Sequence, residues 1–305
     1  MGERWTAQQI PDQSGRTAVI TGANSGIGLI AARDLARAGA RVVMAVRNLD
    51  KGHDAADSID GEVEVRQLDL AELASVRAFA EGFEADLHLL INNAGIMAPP
   101  RRLTKDGFES QIGTNHLGHF ALTGLLMPRL LATPEPRVVT VSSGAHRMGR
   151  INFSDLQSER RYISWLAYGQ SKLANLMFCF ELQRRATEAG ISLKSLAAHP
   201  GYARTHLQFA APPWYERGMM AVTNLLFAQS ADMGALPTLY AAAVPDLPGG
   251  AFIGPNGFME QRGHPHIVTA AGKAYDEKSW RRLWEISEDL SHVRYEFSAS
   301  ARAAS

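Results

Sequence analysis

The sequence contains little cysteine and carries no excess of charge of either sign. Its single cysteine, Cys179, excludes an internal disulfide and suits a reducing cytoplasm. Because Cys179 lies in an apolar helical stretch, we expect it to be a small buried hydrophobe rather than a reactive thiol. Basic and acidic residues number 31 each. This balance gives no indication of binding to nucleic acid or an anionic membrane, and it favours a small-molecule partner.

The chain also lacks an apolar run long enough to predict a membrane span. The nearest candidate, residues 120–132, is interrupted by Pro128 and Arg129. The first sixteen residues are polar and lack the apolar segment of a secretory signal. We therefore expect a cytoplasmic protein.

Strand-like and helix-like segments alternate over the first two hundred of the 305 residues. The predicted strands are residues 17–21, 41–46, 63–68, 87–91, 137–141 and 191–197. Helical patterns occupy residues 27–37, 72–82, 105–131 and 168–189. This alternation predicts an α/β fold, with a doubly wound parallel sheet covered by helices on both faces.

A glycine-rich segment joins the first predicted strand to the first predicted helix. It reads Thr21-Gly22-Ala23-Asn24-Ser25-Gly26-Ile27-Gly28. Glycines there permit a tight turn and a close approach to a pyrophosphate, while the helix N-terminus offers free N–H groups. We therefore predict a Rossmann-like dinucleotide site, although the same residues could form a tight strand-to-helix turn and nothing more.

Tyr168 and Lys172 lie four residues apart in a predicted helix, so their side chains share one face. A lysine ammonium there, together with the charge of an oxidised nicotinamide, would lower the tyrosine pKa from about 10. This pairing fits general acid–base catalysis on an alcohol or a carbonyl. Ser143 follows the fifth strand, where its hydroxyl would bind the substrate oxygen. Such pairs are common by chance, and the prediction depends on the dinucleotide turn that precedes them.

Taken together, these features resemble the classical short-chain dehydrogenase/reductase family. Its landmarks occur in order as the Thr-Gly-x-x-x-Gly-x-Gly turn, Asp69, Asn92-Asn93-Ala94-Gly95, Asn115, Ser143, Tyr168 with Lys172, and Pro200-Gly201 with Thr205. Four segments are similar to the retinol-dehydrogenase/WW-domain-oxidoreductase-like branch: Ala45-Val46-Arg47-Asn48, Thr114-Asn115-His116-Leu117-Gly118-His119-Phe120, His199-Pro200-Gly201 and Leu283-Trp284-Glu285-Ile286-Ser287-Glu288.

The resemblance implies a role for each landmark. The catalytic residues would be Asn115, Ser143, Tyr168 and Lys172. The cofactor-binding residues would be Gly22, Asn24, Ser25, Gly26, Ile27, Gly28, Arg47, Asp69, Leu70, Asn93, Ala94, Gly95, Tyr168, Lys172, Pro200, Gly201 and Thr205. No metal site is expected, because His116 and His119 have no third ligand at a suitable spacing.

Several of these roles have an alternative. The resemblance implies that Asn115 holds a local helix kink and a water linking Lys172 to solvent, but it could be a chance polar residue. Asp69 would contact the adenine and could also cap the following helix. Thr205 would contact the nicotinamide carboxamide, and Asn92 could be purely structural.

The end of the second strand indicates which nicotinamide cofactor is used. NAD-binding Rossmann folds place an acidic residue there, against the ribose 2′-hydroxyl. Here that position is Val46, followed by Arg47, whose guanidinium can bind a 2′-phosphate through two parallel bonds. We therefore expect NADP(H) in preference to NAD(H), unless Arg47 simply solvates a strand end.

The pattern changes after His199, yet no repeat or flexible linker divides the chain. We interpret it as a single domain. Residues 14–205 would form the cofactor-binding and catalytic core, and residues 206–250 a substrate loop and helical region. Residues 251–297 would contain a last strand near 251–253 and a helix near 278–290. Residues 298–305 would be a frayed tail.

These expectations combine into one predicted function, an NADP(H)-dependent oxidoreductase acting on a carbonyl or alcohol. The segment 207–227 is rich in methionine and aromatic residues, which favours a lipophilic substrate, although part of it could be an ordinary core-packing helix. Two alternatives stay open: a non-catalytic NADP(H)-sensing regulator and a pigment reductase of the same fold. The assembly could be a homodimer or a homotetramer.

Overall fold

The computed structural model describes residues 4–201 and 230–297. Its first half alternates strands and helices as β1 (Thr17–Thr21), α1 (Gly26–Arg37), β2 (Arg41–Val46), α2 (Leu49–Ala56), β3 (Val63–Gln67), α3 (Leu73–Glu81) and β4 (Leu89–Asn92). The second half contains α4 (Ser110–Ile112), α5 (Gly118–Leu125), α6 (Met127–Leu130), β5 (Arg137–Val141), α7 (Ser164–Glu188), β6 (Lys194–Ala198), α8 (Ala231–Ala243), β7 (Phe252–Pro255), β8 (Pro265–Ile267) and α9 (Glu277–Ser291).

These strands form one sheet in the order β3-β2-β1-β4-β5-β6-β7-β8. Neighbouring strands from β3 to β7 are parallel, whereas β8 pairs antiparallel with β7. The strand order reverses at β1, which lies between β2 and β4. In open α/β sheets, ligands bind at such a switch point, outside the carboxyl ends of the strands. The predicted Rossmann-like, doubly wound α/β fold is confirmed.

Apolar side chains on both faces place the sheet at the centre of the molecule. Every residue of β1, β4 and β5 is buried, as parallel strands covered on both sides require. On one face α1 and α8 pack through Leu35 and Leu239. On the other face α3 and α5 pack through Phe79 and Phe120. The ring of Trp284 from α9 lies 5.0 Å from that of Phe120, centroid to centroid.

Most predicted elements are confirmed, and three strands have the predicted boundaries: β1, β2 and β5. The strands predicted at residues 63–68, 87–91 and 191–197 are β3, β4 and β6, with ends shifted by up to three residues. The helices predicted near residues 27–37, 72–82, 168–189 and 278–290 are α1, α3, α7 and α9. The strand predicted at 251–253 is β7. The helix α2 and the edge strand β8 were not predicted.

The single helix predicted at residues 105–131 is wrong. Helical structure begins only at Ser110, since Gly107 adopts a left-handed φ of 84°. The Glu109 side chain then caps the first turn by accepting hydrogen bonds from the Gln111 and Ile112 N–H groups at 2.8 and 3.0 Å. The helical region consists of short segments, of which α6 begins with a proline in its first turn.

A π-helical turn, Gly113–Leu117, connects α4 to α5. Its signature is the bond from the Gly118 N–H to the Gly113 carbonyl, five residues back. Asn115 lies inside this turn, so the local helix distortion that the resemblance implies at Asn115 is present. Turns of this kind are frequent at functional sites.

Three further expectations concern Cys179, membrane-spanning helices and segments that lie outside the described residues. Cys179 is fully buried, and burial raises its thiol pKa to about 12, which confirms the expected inert hydrophobe. None of the helices in residues 4–201 and 230–297 is both long and apolar enough to span a membrane. Thr205, the predicted substrate segment 207–227 and the tail from residue 298 lie outside the described residues.

Candidate active site at the carboxyl edge of the sheet

The glycine turn lies at the switch point, between the end of β1 and the start of α1. Gly22 has a φ of 66°, and a Cβ atom there would lie 3.0 Å from the Ala94 Cβ. At Gly28 a Cβ atom would lie 2.5 Å from the Gly22 carbonyl oxygen and 2.6 Å from the Asn93 Nδ2. Ser25 is the N-cap residue of α1, but its side chain makes no capping bond. The turn is therefore compact, and the helix N–H groups are left to other acceptors.

The segment after β4 is tied to the same turn. The Thr21 hydroxyl accepts hydrogen bonds from the Asn93 and Ala94 N–H groups, both at 2.9 Å. The Asn93 side-chain amide donates to the Thr21 carbonyl, also at 2.9 Å. The neighbouring Asn92 instead donates to the Thr123 hydroxyl of α5 at 3.0 Å and is fully buried. This contact agrees with the structural alternative for Asn92.

The ends of β2 and β3 place Arg47 and Asp69 at the same edge. Gly22 donates its N–H to the Ala45 carbonyl of β2 at 2.8 Å, so the end of this strand adjoins the glycine turn. The exposed Arg47 side chain follows two residues later. Asp69 accepts a hydrogen bond from the Ala71 N–H at 2.9 Å, and the adjacent Leu70 is buried.

Asp69 does not cap the helix that follows it, so this alternative is wrong. The N-cap of α3 is Glu72, and the first N–H of the helix, that of Leu73, donates to the Asp106 carboxylate at 2.9 Å. Asp106, 33 residues away in sequence, therefore accepts the hydrogen bond that had been assigned to Asp69.

The Pro200-Gly201 turn follows β6 and docks on the loop between β7 and β8. Gly201 has a φ of 65°, and a Cβ atom there would lie 2.4 Å from the Gln261 carbonyl oxygen. The buried His199 ring contacts the Glu260 carboxylate at 3.2 Å and accepts from the Gly201 N–H at 3.3 Å. The bond to His199, more than any other contact, lowers the Glu260 pKa to about 2. His199 packs the loop, as its position before the turn indicates.

The side chains of Tyr168 and Ser143 come together at the end of β5, close enough for the Ser143 hydroxyl to influence the Tyr168 pKa. Tyr168 is buried in α7, and the Ser143 hydroxyl also accepts from the Ala145 N–H at 3.2 Å. Lys172, one turn after Tyr168, is buried as well. Its Nζ donates to the Val141 carbonyl at 3.1 Å and lies 5.8 Å from the centroid of the Tyr168 ring.

Asn115 completes the group from the opposite side. Its Nδ2 donates to the Ile96 carbonyl and to the Ser171 hydroxyl, both at 2.9 Å, and its Oδ1 accepts from the Ile96 N–H at 2.8 Å. A Cβ atom at Gly95 would lie 3.1 Å from the Asn115 Oδ1 and 3.4 Å from the Lys172 Nζ. Asn115 and Lys172 are therefore neighbours across the Gly95 backbone. The four predicted catalytic side chains converge on one region.

The pKa values of Tyr168 and Lys172 are shifted chiefly by burial. Burial raises the pKa of Tyr168 to about 12, and the Ser143 hydroxyl offsets this only in part. Burial also lowers the pKa of Lys172 to about 8. In the protein alone, burial of the Tyr168 hydroxyl outweighs the effect of Ser143. The expected lowering of the tyrosine pKa also requires the charge of an oxidised nicotinamide, and it stays a prediction.

Sequence reasoning missed two polar residues around this group. Asn175, seven residues after Tyr168 and on the same helix face, donates to the Val141 carbonyl at 3.1 Å, as Lys172 does. His119 lies four residues after Asn115 and bonds its carbonyl at 3.0 Å. In both cases helical spacing from a recognised residue was the available signal. Within residues 4–201 and 230–297, no group of three acidic, histidine or cysteine residues could hold a metal.

Comparisons with known proteins agree with this geometry. Residues 16–216 match the family model of the short chain dehydrogenases. The mouse (Mus musculus) protein named retinol dehydrogenase 12 is 42% identical over 301 residues, which cover 95% of this chain and 90% of that protein.

Two solved structures extend the comparison. The crystal structure of an uncharacterised protein from Mycobacterium paratuberculosis is 52% identical, with a TM-score of 0.83, over 96% of this chain and all of that one. A structure from Beutenbergia cavernae, described as an NAD(P)-dependent gluconate 5-dehydrogenase with bound NADP, is 26% identical, with a TM-score of 0.61, over 76% of this chain and 91% of that one. The protein therefore belongs to the short-chain dehydrogenase/reductase family, in its retinol dehydrogenase-like branch.

Proposed function

We propose that the protein is an NADP(H)-dependent oxidoreductase that interconverts a lipophilic carbonyl compound and its alcohol. The observation that carries the proposal is the convergence of Ser143, Tyr168 and Lys172 beside Asn115 and the glycine turn. A protein that only sensed nucleotide would not need a buried tyrosine beside Ser143 with a lysine one turn away.

The residues around the switch point fit a nicotinamide dinucleotide. The half-buried turn at Asn24, Ser25 and Gly26 presents a helix N-terminus that the Ser25 side chain leaves uncapped, which suits a pyrophosphate. Asp69, the Ala94-Gly95 backbone and the Pro200-Gly201 turn would line the rest of the cofactor. Once bound, the nicotinamide would supply or accept the hydride.

Side chains of the protein would then transfer the proton. In the reductive direction, the substrate carbon receives the hydride and the Tyr168 hydroxyl gives its proton to the carbonyl oxygen, which becomes the alcohol. With a pKa of about 12 in the protein alone, Tyr168 carries its proton at neutral pH and is available as the donor. Ser143 would hold the same oxygen. Lys172, with a pKa of about 8, can exchange protons near neutrality and would help return one to Tyr168.

The preference for NADP(H) rests on the end of β2. Val46 occupies the place of the acid that would bind a free ribose 2′-hydroxyl, and the exposed Arg47 follows it. A guanidinium at this position suits a 2′-phosphate. The bound NADP in the Beutenbergia relative agrees with this assignment.

The lipophilic substrate class has two supports. One is the sequence of segment 207–227, which contains Phe209, Trp214, Tyr215, Met219 and Met220. The other is the name of the mouse relative, which indicates a long apolar alcohol.

A turnover assay tests the proposal. The purified protein would be mixed with isoprenoid, straight-chain and small polar aldehydes, once with NADPH and once with NADH, and cofactor oxidation would be followed. We expect NADPH oxidation with the apolar aldehydes. Tight NADPH binding without turnover of any substrate would favour the sensing regulator instead, and light-dependent turnover of a tetrapyrrole would favour the pigment reductase.

A further inference from the structure

We infer that His119 of α5 is a positioning residue that links the glycine turn to Asn115. This inference rests on the proposed function for its meaning, because Asn115 matters only if the site is catalytic. The hydrogen bonds that carry it are a property of the fold. His119 itself lies too deep to touch a substrate, with 1% of its surface exposed.

The hydrogen-bond partners determine which ring nitrogen carries the proton. The His119 Nδ1 lies 3.0 Å from the Asn115 carbonyl oxygen, which can only accept. The proton must therefore be on Nδ1, and the Nε2 must be an acceptor. The Nε2 lies 2.9 Å from the Thr21 hydroxyl, which donates to it.

The contacts of the Thr21 hydroxyl favour donation of its proton to His119. The hydroxyl accepts from the Asn93 and Ala94 N–H groups at 2.9 Å each. The hydroxyl has one proton to donate. The His119 Nε2 lies 2.9 Å from the hydroxyl oxygen, whereas the alternative acceptor, the Ile91 carbonyl oxygen, lies 3.4 Å away. Thr21 is fully buried, so water does not compete. The chain of bonds runs from the segment after β4, through Thr21 and His119, to the Asn115 backbone.

The Asn115 backbone is the part of the site that most requires such support. It lies in the π-helical turn, where the regular α-helical bonding is interrupted. From there its side chain holds the Ile96 backbone through both its oxygen and its nitrogen, beside Lys172. If the Asn115 carbonyl loses His119, we expect the turn to loosen and the Ile96 backbone to move away from Lys172.

His119 acts here without a charge of its own. Burial lowers its pKa to about 3, so the ring is uncharged near neutral pH. The ionisable groups that face it are Lys172 and His116. His116 is also buried, and its pKa is lowered to about 4. A change in the pH profile after substitution of neutral His119 must therefore come through the surroundings of Lys172.

Two substitutions separate the halves of the link. In His119→Asn, the side-chain amide stands near the place of Nδ1 and can still donate to the Asn115 carbonyl. In His119→Gln, the amide stands nearer the place of Nε2 and can meet Thr21 but not Asn115. Leu122→Ala, a fully buried change in the same helix, serves as a control for lost stability.

The first readout needs no turnover: hydrogen exchange of the Ile96 amide, measured by NMR. We expect protection close to that of the unchanged protein in His119→Asn and Leu122→Ala, and a clear loss in His119→Gln. Equal protection in His119→Asn and His119→Gln would overturn the inference. This result stands whether or not the protein proves to be an oxidoreductase.

Kinetics give the second readout. We expect His119→Gln to lower kcat on the order of tenfold to a hundredfold, as misplacement of a site by an ångström does. The KM for NADPH should change little, and the midpoint of the kcat–pH profile should shift. His119→Asn should recover most of the activity and the original midpoint. The inference fails if Leu122→Ala shifts the profile as much as His119→Gln, since the effect would then be one of general stability.

Discussion

Lys172 and Tyr168 are both buried, and burial moves their pKa values in opposite directions. The lysine pKa falls to about 8 and the tyrosine pKa rises to about 12, because each side chain is less stable when charged in the protein than in water. The site therefore holds an acid that keeps its proton and an amine that exchanges one near neutral pH. In the protein alone, Tyr168 is therefore the protonated partner, and Lys172 is the group that can exchange protons with solvent near neutral pH.

Replacing Tyr168 by phenylalanine tests the acid directly. The ring still packs, but no proton can reach the substrate, so kcat should fall by about 10²–10⁴. The Kd for NADPH, measured by fluorescence titration, should stay nearly constant. The control is Tyr162→Phe, since burial raises the Tyr162 pKa to about 12 as well, while its hydroxyl donates to Pro99 outside the group around Tyr168. Near-normal turnover in Tyr168→Phe would require another acid.

Replacing Lys172 by methionine should stabilise the protein near neutral pH. The folded pKa is about 8, against about 10.4 for a free lysine, so charging this buried amine costs about 3 kcal/mol. The lost bond from the charged amine to the Val141 carbonyl, which Asn175 still satisfies, offsets about 1.5 kcal/mol of that. At pH 7 the variant should therefore unfold with a free energy about 1.5 kcal/mol higher, although it loses activity.

The sign of the pH dependence follows from the same two values. Below pH 8 the lysine is charged in both states, and the folded protein carries the full cost. Between pH 8 and about 10.4 the unfolded chain binds more protons, so the stability of the original protein rises. Urea unfolding of both proteins at pH 7, 8.5 and 9.5 should show their difference shrinking. A difference in unfolding free energy that stays constant with pH, or a variant less stable than the original protein at pH 7, would contradict the cost of charging the buried Lys172.

Among the secondary-structure elements, sequence patterns predicted those whose formation depends on neighbouring residues in the sequence. The strands β1, β2 and β5 were predicted in full because buried parallel strands are continuous apolar runs. Patterns failed where distant contacts decide. The helix start at Ser110 depends on the Glu109 cap, which the helical pattern from residue 105 did not indicate. The π-helical turn around Asn115 was expected only from the family resemblance. The edge strand β8 exists because β7 offers it an edge.

The candidate site shows the same division. The glycine turn and the Tyr168–Lys172 pair were predicted because a strand-to-helix turn and helix spacing are local features. The other landmark residues, such as Asn115 and Asp69, were predicted only from the family resemblance, and the fold brings the strand ends to one edge. The pKa values were not, since burial is a property of the whole fold. Nor was His119 recognised, because its partner Thr21 is 98 residues away in sequence. Helical spacing from Asn115 was the only hint.

The end of β2 provides a further test. Replacing Arg47 by glutamine should weaken NADPH binding about tenfold to a hundredfold, since bonds to a charged group contribute about 1.5–3 kcal/mol. NADH lacks the 2′-phosphate and should be affected little. Arg41→Gln, at the other end of the same strand and paired with Glu62 and Glu64, is the control. Isothermal titration with both cofactors measures the ratio, and equal weakening of both would refute the assignment.

For the molecule as a whole, a balanced charge offers a substrate no long-range electrostatic attraction, so selection must arise by contact. The candidate site lies at the carboxyl edge of the sheet, and in the sequence Gly201 is followed by the apolar segment 207–227. If this segment covers the substrate, selection should depend on the apolar surface that the substrate buries.

A series of straight-chain aldehydes from four to twelve carbons tests this substrate class. Each methylene that is well buried should contribute up to about 0.8 kcal/mol, or roughly a fourfold gain in kcat/KM. The gain should continue until the chain fills the candidate site and then level off. If these residues cover the far end of a long substrate, replacing Met219 and Met220 by serine should flatten the series while leaving the efficiency with the shortest aldehyde nearly constant. A flat series in the unchanged protein, or a preference for small charged carbonyls, would remove the basis for a lipophilic substrate while leaving the acid–base chemistry of Tyr168 intact.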